Sequence, residues 1–453
     1  MANLSTLLSV SEPSGFWVGI IRAFEGVTGN YVLAIIFLTV VIRLIWGIVE
    51  TVNKYASQKQ AGVQAKMQPE LERIKAKYKN QPDLLARKQK EVQQRYMGRG
   101  MIGIFLIMLV TFGLNMLVFF SLFSGLNTMA AYKAGSSYDN LKYQYANCLN
   151  VADTYLGDYT DPAKLAIFAD YENIEFVVSE DGKNIGIFKD GELVENSLIE
   201  FKTDFSSTKT VHDDETDEDK EVKVSSNANI LALIEKLKIQ GAEESDQIVV
   251  GTKIVQDKEG NDQTQNIYLS SAVQHISAIT LGKYYDINKD SFLWIENIWQ
   301  SDSAFTKSMG DYKTIARQLG KNAGEKEENI YNAFMPTLKA EKNKVNGYFI
   351  LPILCVLSSM LTLFITSLYN KMKNKKKGLP QTNQGFKLTY VIIPAILGIF
   401  ALFYNSVFAI YMIVGQLVSA LITPLQLLIV DKILDSRNKK EEEKVVIDYS
   451  RKF

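Results

Sequence analysis

The sequence has few of the residues from which most catalytic and metal sites are built. It contains two histidines, His212 and His275, and two cysteines, Cys148 and Cys355. Neither histidine has a second histidine or a cysteine at the spacing that a metal site requires. The phosphate-binding pattern Gly-x-x-x-x-Gly-Lys-Ser/Thr and the nucleophile pattern Gly-x-Ser-x-Gly are missing as well. We therefore predict that the protein is not an enzyme and holds no metal or cofactor.

The sequence also lacks the marks of a processed, disulfide-linked protein. Residues 1–14 contain no basic stretch before an apolar core and no small-residue cleavage pattern, so we do not expect a cleaved signal peptide. Cys148 lies in a polar region and Cys355 in an apolar run, so no disulfide is predicted between them. We expect the first apolar run to act as its own targeting signal.

Five apolar runs dominate the rest of the sequence, and acidic residues are missing from inside all of them. A helix rises about 1.5 Å per residue, so runs of this length suit a hydrocarbon layer of about 30 Å. The sequence therefore predicts an α-helical integral membrane protein. The five predicted transmembrane helices occupy residues 30–50, 101–126, 347–369, 388–404 and 406–430.

The first of these runs contains a single basic residue, Arg43. A charged side chain in mid-membrane costs about 2.5–3.5 kcal/mol on insertion scales, so an arginine kept there is a candidate functional residue. The other four runs contain no acidic residue, so the acidic partner that the spans offer is Glu50, seven residues further on the same helix face and nearer the cytoplasmic edge. Water would otherwise have to hydrate the charge.

Polar residues on the predicted spans could line a wet groove around Arg43 that opens to the cytoplasm. Such a groove would attract a polar or acidic segment of another chain into the inner half of the membrane. In the alternative interpretation Arg43 only extends to the cytoplasmic interface. The candidate groove residues besides Arg43 are Thr39, Asn115, Thr362, Gln416, Ser419 and Thr423.

Residues 53–99 form a basic segment with two apolar stripes at helical spacing. Asn80 to Asp83 separates the stripes, and Pro82 and Asp83 suit the first turn of a second helix. We predict a cytoplasmic hairpin of two antiparallel helices, with a solvated linker as the alternative. The stripes consist of Met67, Leu71, Ile74 and Tyr78 in the first helix and of Leu85, Val92 and Tyr96 in the second.

Basic and acidic residues balance at 50 each, but their distribution predicts the orientation. The hairpin and the basic loop 370–387 flank spans on the same side, which is therefore the cytoplasmic side. Five spans then place the N-terminal segment 1–29 outside and the tail 431–453 inside. The outer segment includes an amphipathic pattern at Phe16–Phe24, for which we predict a helix at the membrane surface with Trp17 at headgroup level.

Residues 131–290 resemble a soluble domain. Short alternating stretches such as Ile174–Val178 and turn signals such as Asp181-Gly182 predict strands, while residues 230–239 and 312–319 look helical. The acidic run at 213–219 is typical of a solvated loop. We predict an inserted extracytoplasmic α+β domain.

Residues 291–346 follow as a segment that returns to the membrane. Ser291–Trp299 is rich in aromatic residues, and we predict that Trp294 and Trp299 lie at the membrane interface. A buried edge of the soluble domain is the alternative.

Several short segments together resemble the YidC-type membrane protein insertases, the bacterial branch of a family shared with mitochondria and chloroplasts. Their order and spacing also agree with that family over residues 14–130 and 290–430. The matching segments are Gly29-Asn30-Tyr31, Ala34-Ile35-Ile36, Thr39 to Arg43, Met67 to Leu71, Lys77-Tyr78-Lys79, Phe292-Leu293-Trp294, Tyr348 to Leu354, Ile393-Pro394, Phe400 to Phe403 and Ala409-Ile410-Tyr411.

The resemblance implies five core spans around a hydrophilic groove that is open to the cytoplasm and to lipid. It implies that Arg43 receives the hydrophilic part of a nascent membrane protein while the substrate helix moves into the bilayer. The hairpin would recruit substrate, and the Sec translocon and the ribosome are the implied partners. No nucleotide and no specific nucleic acid sequence are implied.

The sequence departs from the family pattern in four places, and each concerns a detail of the groove or of the spans. They are Leu117 in place of proline, Tyr404-Asn405-Ser406 in place of a Phe-Pro-Ala-type link, Met412 in place of an aromatic residue and Thr362 in place of glutamine. The large insert follows the second span, whereas some relatives carry their extra domain before the arginine-bearing span.

The size of the region between the second and third spans motivates an alternative function, a membrane-anchored outer receptor. A transporter is less favoured, because the spans lack paired carboxylates and an evident inverted repeat.

Overall fold

The structure, a computed structural model, describes residues 13–96, 99–213, 218–241, 243–319, 324–376 and 389–450. The centre of the predicted acidic run and residues 377–388 of the predicted basic loop lie outside this part of the chain. The helices are α1 (Phe16–Thr28), α2 (Tyr31–Lys77), α3 (Pro82–Tyr96), α4 (Arg99–Leu156), α5 (Pro162–Ala169), α6 (Ser226–Lys236), α7 (Leu269–Asn288), α8 (Tyr312–Leu319), α9 (Glu325–Phe334), α10 (Lys339–Asn343), α11 (Ile350–Lys376), α12 (Thr389–Phe403) and α13 (Ser406–Ser450).

The strands are short and all of their pairings are antiparallel. One sheet has the order β1-β2-β3 with β4 also paired to β2, and two further hairpins pair β5 with β6 and β7 with β8. Turns with positive φ at Gly182, Gly191 and Gly260 join neighbouring strands, where the sequence predicts turns. The strands are β1 (Ile174–Val178), β2 (Asn184–Lys189), β3 (Glu192–Leu193), β4 (Ile199–Glu200), β5 (Ser207–Asp213), β6 (Glu218–Val224), β7 (Val249–Gln256) and β8 (Asp262–Tyr268).

The chain divides into two compact units. Unit 1 comprises residues 1–14 and 128–348, and unit 2 comprises residues 15–127 and 349–453. Unit 1 contains all of the strands in the described part of the chain, together with the second half of α4. The helices and sheets of unit 1 are consistent with the predicted α+β insert between apolar helices, which stays a prediction.

Unit 2 contains long apolar helices. Among the described residues, four helices are long and apolar enough to cross a membrane: Tyr31–Lys77, Gly103–Leu156, Ile350–Lys373 and Ser406–Arg437. The remaining predicted span is the fourth, residues 388–404, which corresponds to α12; this helix has 15 described residues and would rise about 22 Å. Four of the five predicted spans thus have the required length, and α12 is an apolar helix of shorter reach.

Helix α2 begins where the sequence predicts and continues further than predicted. Asn30 caps it, because the Asn30 side-chain oxygen accepts hydrogen bonds from Val32 N at 2.8 Å and Leu33 N at 3.2 Å. The helix then runs through Pro69 to Lys77, so the predicted span and the first hairpin helix are one helix. The sequence predicts a span that ends at residue 50 and a hairpin that begins at residue 53, but the structure joins them without a break.

Helices α2 and α3 form the predicted antiparallel pair. Met67 and Val92 are buried, and Arg95 Nη1 lies 3.0 Å from Glu70 Oε1. The chain reverses between Lys77 and Pro82, where the Asn80-Gln81-Pro82 sequence predicts a break. Local turn chemistry and facing apolar stripes therefore suffice to define this hairpin.

Helix α1 is present, but its tryptophan packs inside unit 2. The Trp17 indole N–H donates a hydrogen bond to Ser121 Oγ at 2.9 Å. Its Cβ also lies 2.7 Å from the position that a Cβ on Gly125 would occupy. Trp17 is thus half-buried against α4, and its position at headgroup level stays a prediction, whereas Phe16 is the exposed aromatic residue of α1.

The break between α12 and α13 depends on Asn405. Its side-chain oxygen accepts a hydrogen bond from Phe408 N at 2.9 Å and so caps α13. Tyr404 stacks edge-on against Phe123 with ring centroids 4.6 Å apart. An amide cap therefore forms the link at which the family pattern would place a proline.

The core of unit 1 forms around the second half of α4. Tyr145, Cys148 and Leu149 are completely buried there, and α7 packs alongside. The Thr280 hydroxyl of α7 donates a hydrogen bond to Phe176 O of β1 at 3.1 Å, which joins the helix to the sheet. Unit 1 thus has a hydrophobic core of its own.

The aromatic segment Ser291–Trp299 belongs to unit 1. Trp299 is 7% exposed and its indole N–H donates a hydrogen bond to Asp290 Oδ2 at 2.7 Å, so this tryptophan is buried within the domain. The Trp294 indole N–H donates to Asp302 Oδ2 at 3.3 Å. The burial of Trp299 favours the alternative interpretation for this residue, a buried edge of the soluble domain, while an interfacial position of Trp294 stays a prediction.

A group of charged side chains is buried in unit 1. Lys142 Nζ lies 3.1 Å from Asp139 Oδ1 and 2.8 Å from Glu327 Oε1, and all three side chains are at most 4% exposed. Asn227 donates a hydrogen bond to the second oxygen of Glu327. These contacts join α4, α6 and α9, and each charge depends on the others because none of them reaches water.

We predict that Lys142→Met strongly destabilises unit 1. The methionine keeps much of the aliphatic volume but leaves two buried carboxylates without their cation, a change that costs about 3–5 kcal/mol. Equilibrium unfolding of the purified full chain measures the change in the free energy of unfolding. The matched control is Lys283→Ala, which breaks an exposed pair with Glu175 and should have a much smaller effect. Equal stability of the two variants would contradict the prediction.

Candidate functional site

The predicted site residue Arg43 belongs to a polar stripe along α2. Arg43, Gly47, Glu50, Lys54 and Gln58 follow one another at steps of four, three, four and four residues, which places them on one face of the helix. This face contacts α13 through the Gln426 side-chain amide, which donates a hydrogen bond to Gly47 O at 2.7 Å. We call the contact between these faces of α2 and α13 the polar seam.

Arg43 is partly exposed and partly packed. Its side chain is 21% exposed, and its Nη1 lies 3.5 Å from Glu50 Oε1. Within the described part of the chain, its Nε is buried and makes no hydrogen bond. Arg43 therefore does have the acidic partner that the sequence allows, but the contact is long and leaves guanidinium donors unused.

The backbone of α13 leaves room for the Arg43 guanidinium at Gly415. A Cβ built on Gly415 would lie 2.8 Å from Arg43 Nε and 2.9 Å from Nη2. Any side chain at this position would therefore displace the guanidinium. Gly415 is a positioning residue, and the sequence signals it only as a glycine inside an apolar run.

Lys54 adds a second cation to the polar seam. Lys54 Nζ donates hydrogen bonds to Thr423 Oγ1 at 3.1 Å and to Gln426 Oε1, and it lies 4.0 Å from Glu50 Oε2. Glu50 thus lies between two cations, so these three charged residues of the seam carry a net charge of +1. The sequence could have indicated Lys54 and Gln426, since both continue the helical spacing of residues already singled out.

The other predicted site residues occupy three different environments. Thr39 is fully buried and its hydroxyl donates to Ile35 O of its own helix at 2.6 Å. Asn115 accepts a hydrogen bond from the Trp46 indole and donates to Thr111 O at 2.8 Å. Thr362 donates to Gln416 O at 3.1 Å and so joins α11 to α13. In this conformation the Thr39 hydroxyl is therefore buried and donates within its own helix, and only its oxygen remains as an acceptor.

Gln416 and Ser419 are half-buried on α13. With Thr423 and Gln426 they follow at steps of three, four and three residues, which forms the α13 side of the polar seam. The structure thus brings Arg43 next to this helix, links Thr362 to it through the backbone of Gln416, and links Asn115 to α2 through Trp46.

A second polar cluster joins α2, α11 and α13 further along these helices. Lys373 pairs with Asp431 and donates a hydrogen bond to Gln58 Oε1 at 2.6 Å. The Tyr369 hydroxyl donates to the other oxygen of Asp431 at 2.8 Å. The polar stripe of α2 therefore has partners along its length from Arg43 to Gln58.

This arrangement suits the binding of polar chain segments. It presents ammonium and guanidinium donors together with amide groups, which bind carboxylates and peptide carbonyls. Among the described residues, no group of three or more histidine, cysteine, aspartate or glutamate side chains could hold a metal ion.

Comparison with known proteins supplies one match. A family model described as "60Kd inner membrane protein" matches residues 23–170, about a third of the chain. The matched part includes Thr39, Arg43 and Asn115 but ends before the predicted site residues of α11 and α13. No curated protein and no solved structure matches the chain. The family description and the long apolar helices agree on a membrane protein.

We predict that Gly415→Ala destabilises unit 2 only while Arg43 is present. The added methyl group must displace the guanidinium, and such overpacking costs about 1–3 kcal/mol. In an Arg43→Ala background the obstacle is gone, and the Gly415→Ala substitution should become neutral or slightly stabilising. Unfolding of the four variants in detergent gives the coupling energy.

The control for this cycle is Gly113→Ala on α4. A Cβ at Gly113 meets nothing within 4 Å among the described residues, so this substitution should not depend on Arg43. An equal cost for Gly415→Ala with and without Arg43 would show that the close contact has no energetic consequence.

Proposed function

We propose that this chain, which belongs to the YidC-type insertase family through residues 23–170, inserts membrane proteins by receiving their hydrophilic segments at the polar seam. The membrane helix of the substrate would then move laterally into the bilayer. The observation that carries the proposal is Arg43, a partly exposed cation with unused donors on an apolar helix. Thr39, Asn115, Thr362, Gln416 and Ser419 are the proposed polar surroundings.

The proposed mechanism begins with an exchange of partners at Arg43. A substrate carboxylate that approaches the guanidinium competes with Glu50, whose contact at 3.5 Å is longer than a strong charge-assisted hydrogen bond. Lys54 lies close enough to Glu50 to remain its partner during the exchange. The net positive charge of these residues then favours an acidic segment over a basic one.

The energetic role of the seam is to lower the cost of a polar segment at membrane depth. Unsatisfied backbone groups cost several kcal/mol each in hydrocarbon, so a translocating segment needs partners. The half-buried Gln416 and Ser419 can supply them beside Arg43, because amide and hydroxyl groups both donate and accept. Binding at a few such groups is weak enough for the segment to leave again.

The proposed setting is the bacterial cell membrane, with the N-terminus outside and the C-terminus in the cytoplasm. The basic α2–α3 hairpin would then extend into the cytoplasm and recruit nascent membrane proteins, directly or beside the Sec translocon and the ribosome. Basic side chains on α3, such as Arg87 and Lys90, are exposed and can form the first contacts. No nucleotide, metal or other cofactor enters the proposed mechanism.

We predict that substitution of Arg43 reduces insertion according to charge. Arg43→Ala removes a charge-assisted interaction of about 1.5–3 kcal/mol, which corresponds to a loss of about tenfold or more in insertion of a single-span substrate with an acidic outer tail. Arg43→Glu should be worse, since it repels that tail. Protease protection of the tail in proteoliposomes measures the effect.

Two controls test the charge argument. The same substrate with an uncharged tail should depend less on Arg43, and Lys253→Ala, an exposed substitution on β7 outside the hairpin and the polar seam, should leave insertion of both substrates nearly unchanged. Full activity of the Arg43→Glu variant with the acidic tail would overturn the proposed exchange.

The size of unit 1 favours a second candidate, an outer receptor for which the apolar helices are only an anchor. A domain with its own hydrophobic core and a buried ion group could bind a partner independently of the polar seam. The two candidates make opposite predictions when residues 131–290 are replaced by a short linker. An insertase should keep part of its insertion activity, whereas a receptor should lose all function. Complementation of a depleted strain by the shortened chain distinguishes the two.

A further inference from the structure

One part of unit 1 exposes large apolar side chains at the end of α7 and on two tight turns. Ile287, Leu293 and Phe305 are 80%, 75% and 90% exposed. All three belong to residues 287–308, which hydrogen bonds join to residues 341–348. We call these two segments together the junction module. Exposed apolar side chains that are grouped in one part of a structure mark surfaces that bind another protein or a membrane.

The turn at Leu293 is backbone-strained. Phe292 N donates to Ile295 O at 3.0 Å and Ile295 N donates to Phe292 O at 2.9 Å, so Leu293 and Trp294 form the tip of a two-residue turn. Leu293 has φ +54°, a left-handed conformation that costs a leucine about 1–2 kcal/mol. Glycine or asparagine would relieve this strain, so the leucine at an exposed tip requires a reason outside the fold of the turn.

Within the junction module, hydrogen bonds join the first segment to residues 346–348, which lie just before α11. Asn346 Nδ2 donates to Asn297 O and to Ser301 O, each at 2.9 Å, and Tyr348 N donates to Asp302 Oδ1 at 2.7 Å. A Cβ on Gly347 would lie 1.9 Å from Asp302 Oδ1, so only glycine permits this approach. These bonds hold the loop that carries Phe305 against the end of unit 1.

Chain connectivity then limits the distance to the membrane. Ile350, the first residue of the membrane-length helix α11, follows Tyr348 by two residues, which span at most about 7 Å. The loop bonded to Tyr348 therefore lies near the end of a helix that crosses the bilayer. Asp302 accepts hydrogen bonds from both Tyr348 N and the Trp294 indole, so the turn that carries Leu293 and the loop that carries Phe305 are both joined to the residues that precede α11.

We propose that Leu293 and Phe305 insert into the interfacial region of the leaflet from which α11 starts, and that they anchor the junction module to lipid. The lipid surface is favoured as the occupant because the module continues covalently into a membrane helix. The inference goes beyond the insertase function and requires only that α11 spans a membrane.

The lysines of the junction module contact groups of the protein itself, which favours anchoring through apolar side chains. Lys289 is 2.7 Å from Asp286 Oδ1 and 2.6 Å from Glu296 Oε2, and Lys344 is 2.8 Å from Glu341 Oε2. Lys307 donates a hydrogen bond to Asn343 O at 3.0 Å. These cations are engaged within the protein, so anchoring does not need anionic lipid and should persist at high salt.

The test places a fluorescent probe at the two turns of the full chain in bilayers. Leu293→Cys and Phe305→Cys are labelled with an environment-sensitive dye, and the chain is reconstituted in neutral phosphatidylcholine nanodiscs with or without lipids that carry a quencher near the headgroup. Ile254→Cys is the matched control, since Ile254 is 71% exposed on β7 outside the junction module. The native cysteines Cys148 and Cys355 are buried and should label weakly.

We expect the probes at residues 293 and 305 to lose most of their emission with quencher lipid, at low and at high salt, while the probe at residue 254 keeps its emission. Equal emission at the three positions would overturn the proposal. Quenching that requires anionic lipid or disappears at high salt would overturn the apolar mode of anchoring. The measurement uses no substrate, so its outcome is independent of insertion activity.

Discussion

The position of one guanidinium constrains the arrangement of unit 2. Arg43 belongs to an apolar helix, where its charge is tolerated only with water or with partners. Its contact with Glu50 and its close approach to the backbone at Gly415 supply part of that environment. A larger residue on α13 would separate the two helices or expel the charge. The packing of α2 against α13 and the position of the Arg43 side chain therefore depend on each other.

The polar seam extends from this position because each polar group needs a partner from the opposite helix. Lys54 reaches Thr423 and Gln426 on α13, and Gln426 returns a hydrogen bond to the backbone at Gly47. Lys373 similarly joins Gln58 to Asp431. Such pairing specifies the register of apolar helices, since lipid offers no hydrophobic driving force between them. The residues that could serve a substrate thus also align the helices.

Local sequence signals predict much of this fold. Asn30 and Pro82 mark helix starts, the stripes that include Met67 and Val92 mark facing helices, and the sheet strands follow turn signals such as Asp181-Gly182. These features depend on neighbours within a few residues, which is why a single sequence reveals them.

Features that depend on distant partners were not predictable in the same way. Composition alone indicates an interfacial position for both Trp17 and Trp299. It cannot show that Trp17 packs against Gly125 or that Asp290 accepts the Trp299 N–H. The role of Gly415 is likewise invisible without α2 beside it. Tertiary contacts override composition at each of these positions. Lys54 and Gln426 are intermediate, because helical spacing indicates their face but not their partners.

Two groups of charged side chains, one in each unit, show how burial and distance decide whether a contact is structural or exchangeable. In unit 1, Lys142 contacts two carboxylates at 2.8–3.1 Å with side chains at most 4% exposed. Removal of any member leaves a buried charge that water cannot reach, so the group acts as a fixed structural link. In unit 2, Arg43 and Glu50 are 3.5 Å apart with side chains 21% and 24% exposed. Water reaches both, the attraction is correspondingly weaker, and a competing carboxylate can replace Glu50 without leaving an uncompensated charge. A contact between a cation and a carboxylate therefore stabilises unit 1, whereas the contact in unit 2 is suited to the exchange that we propose.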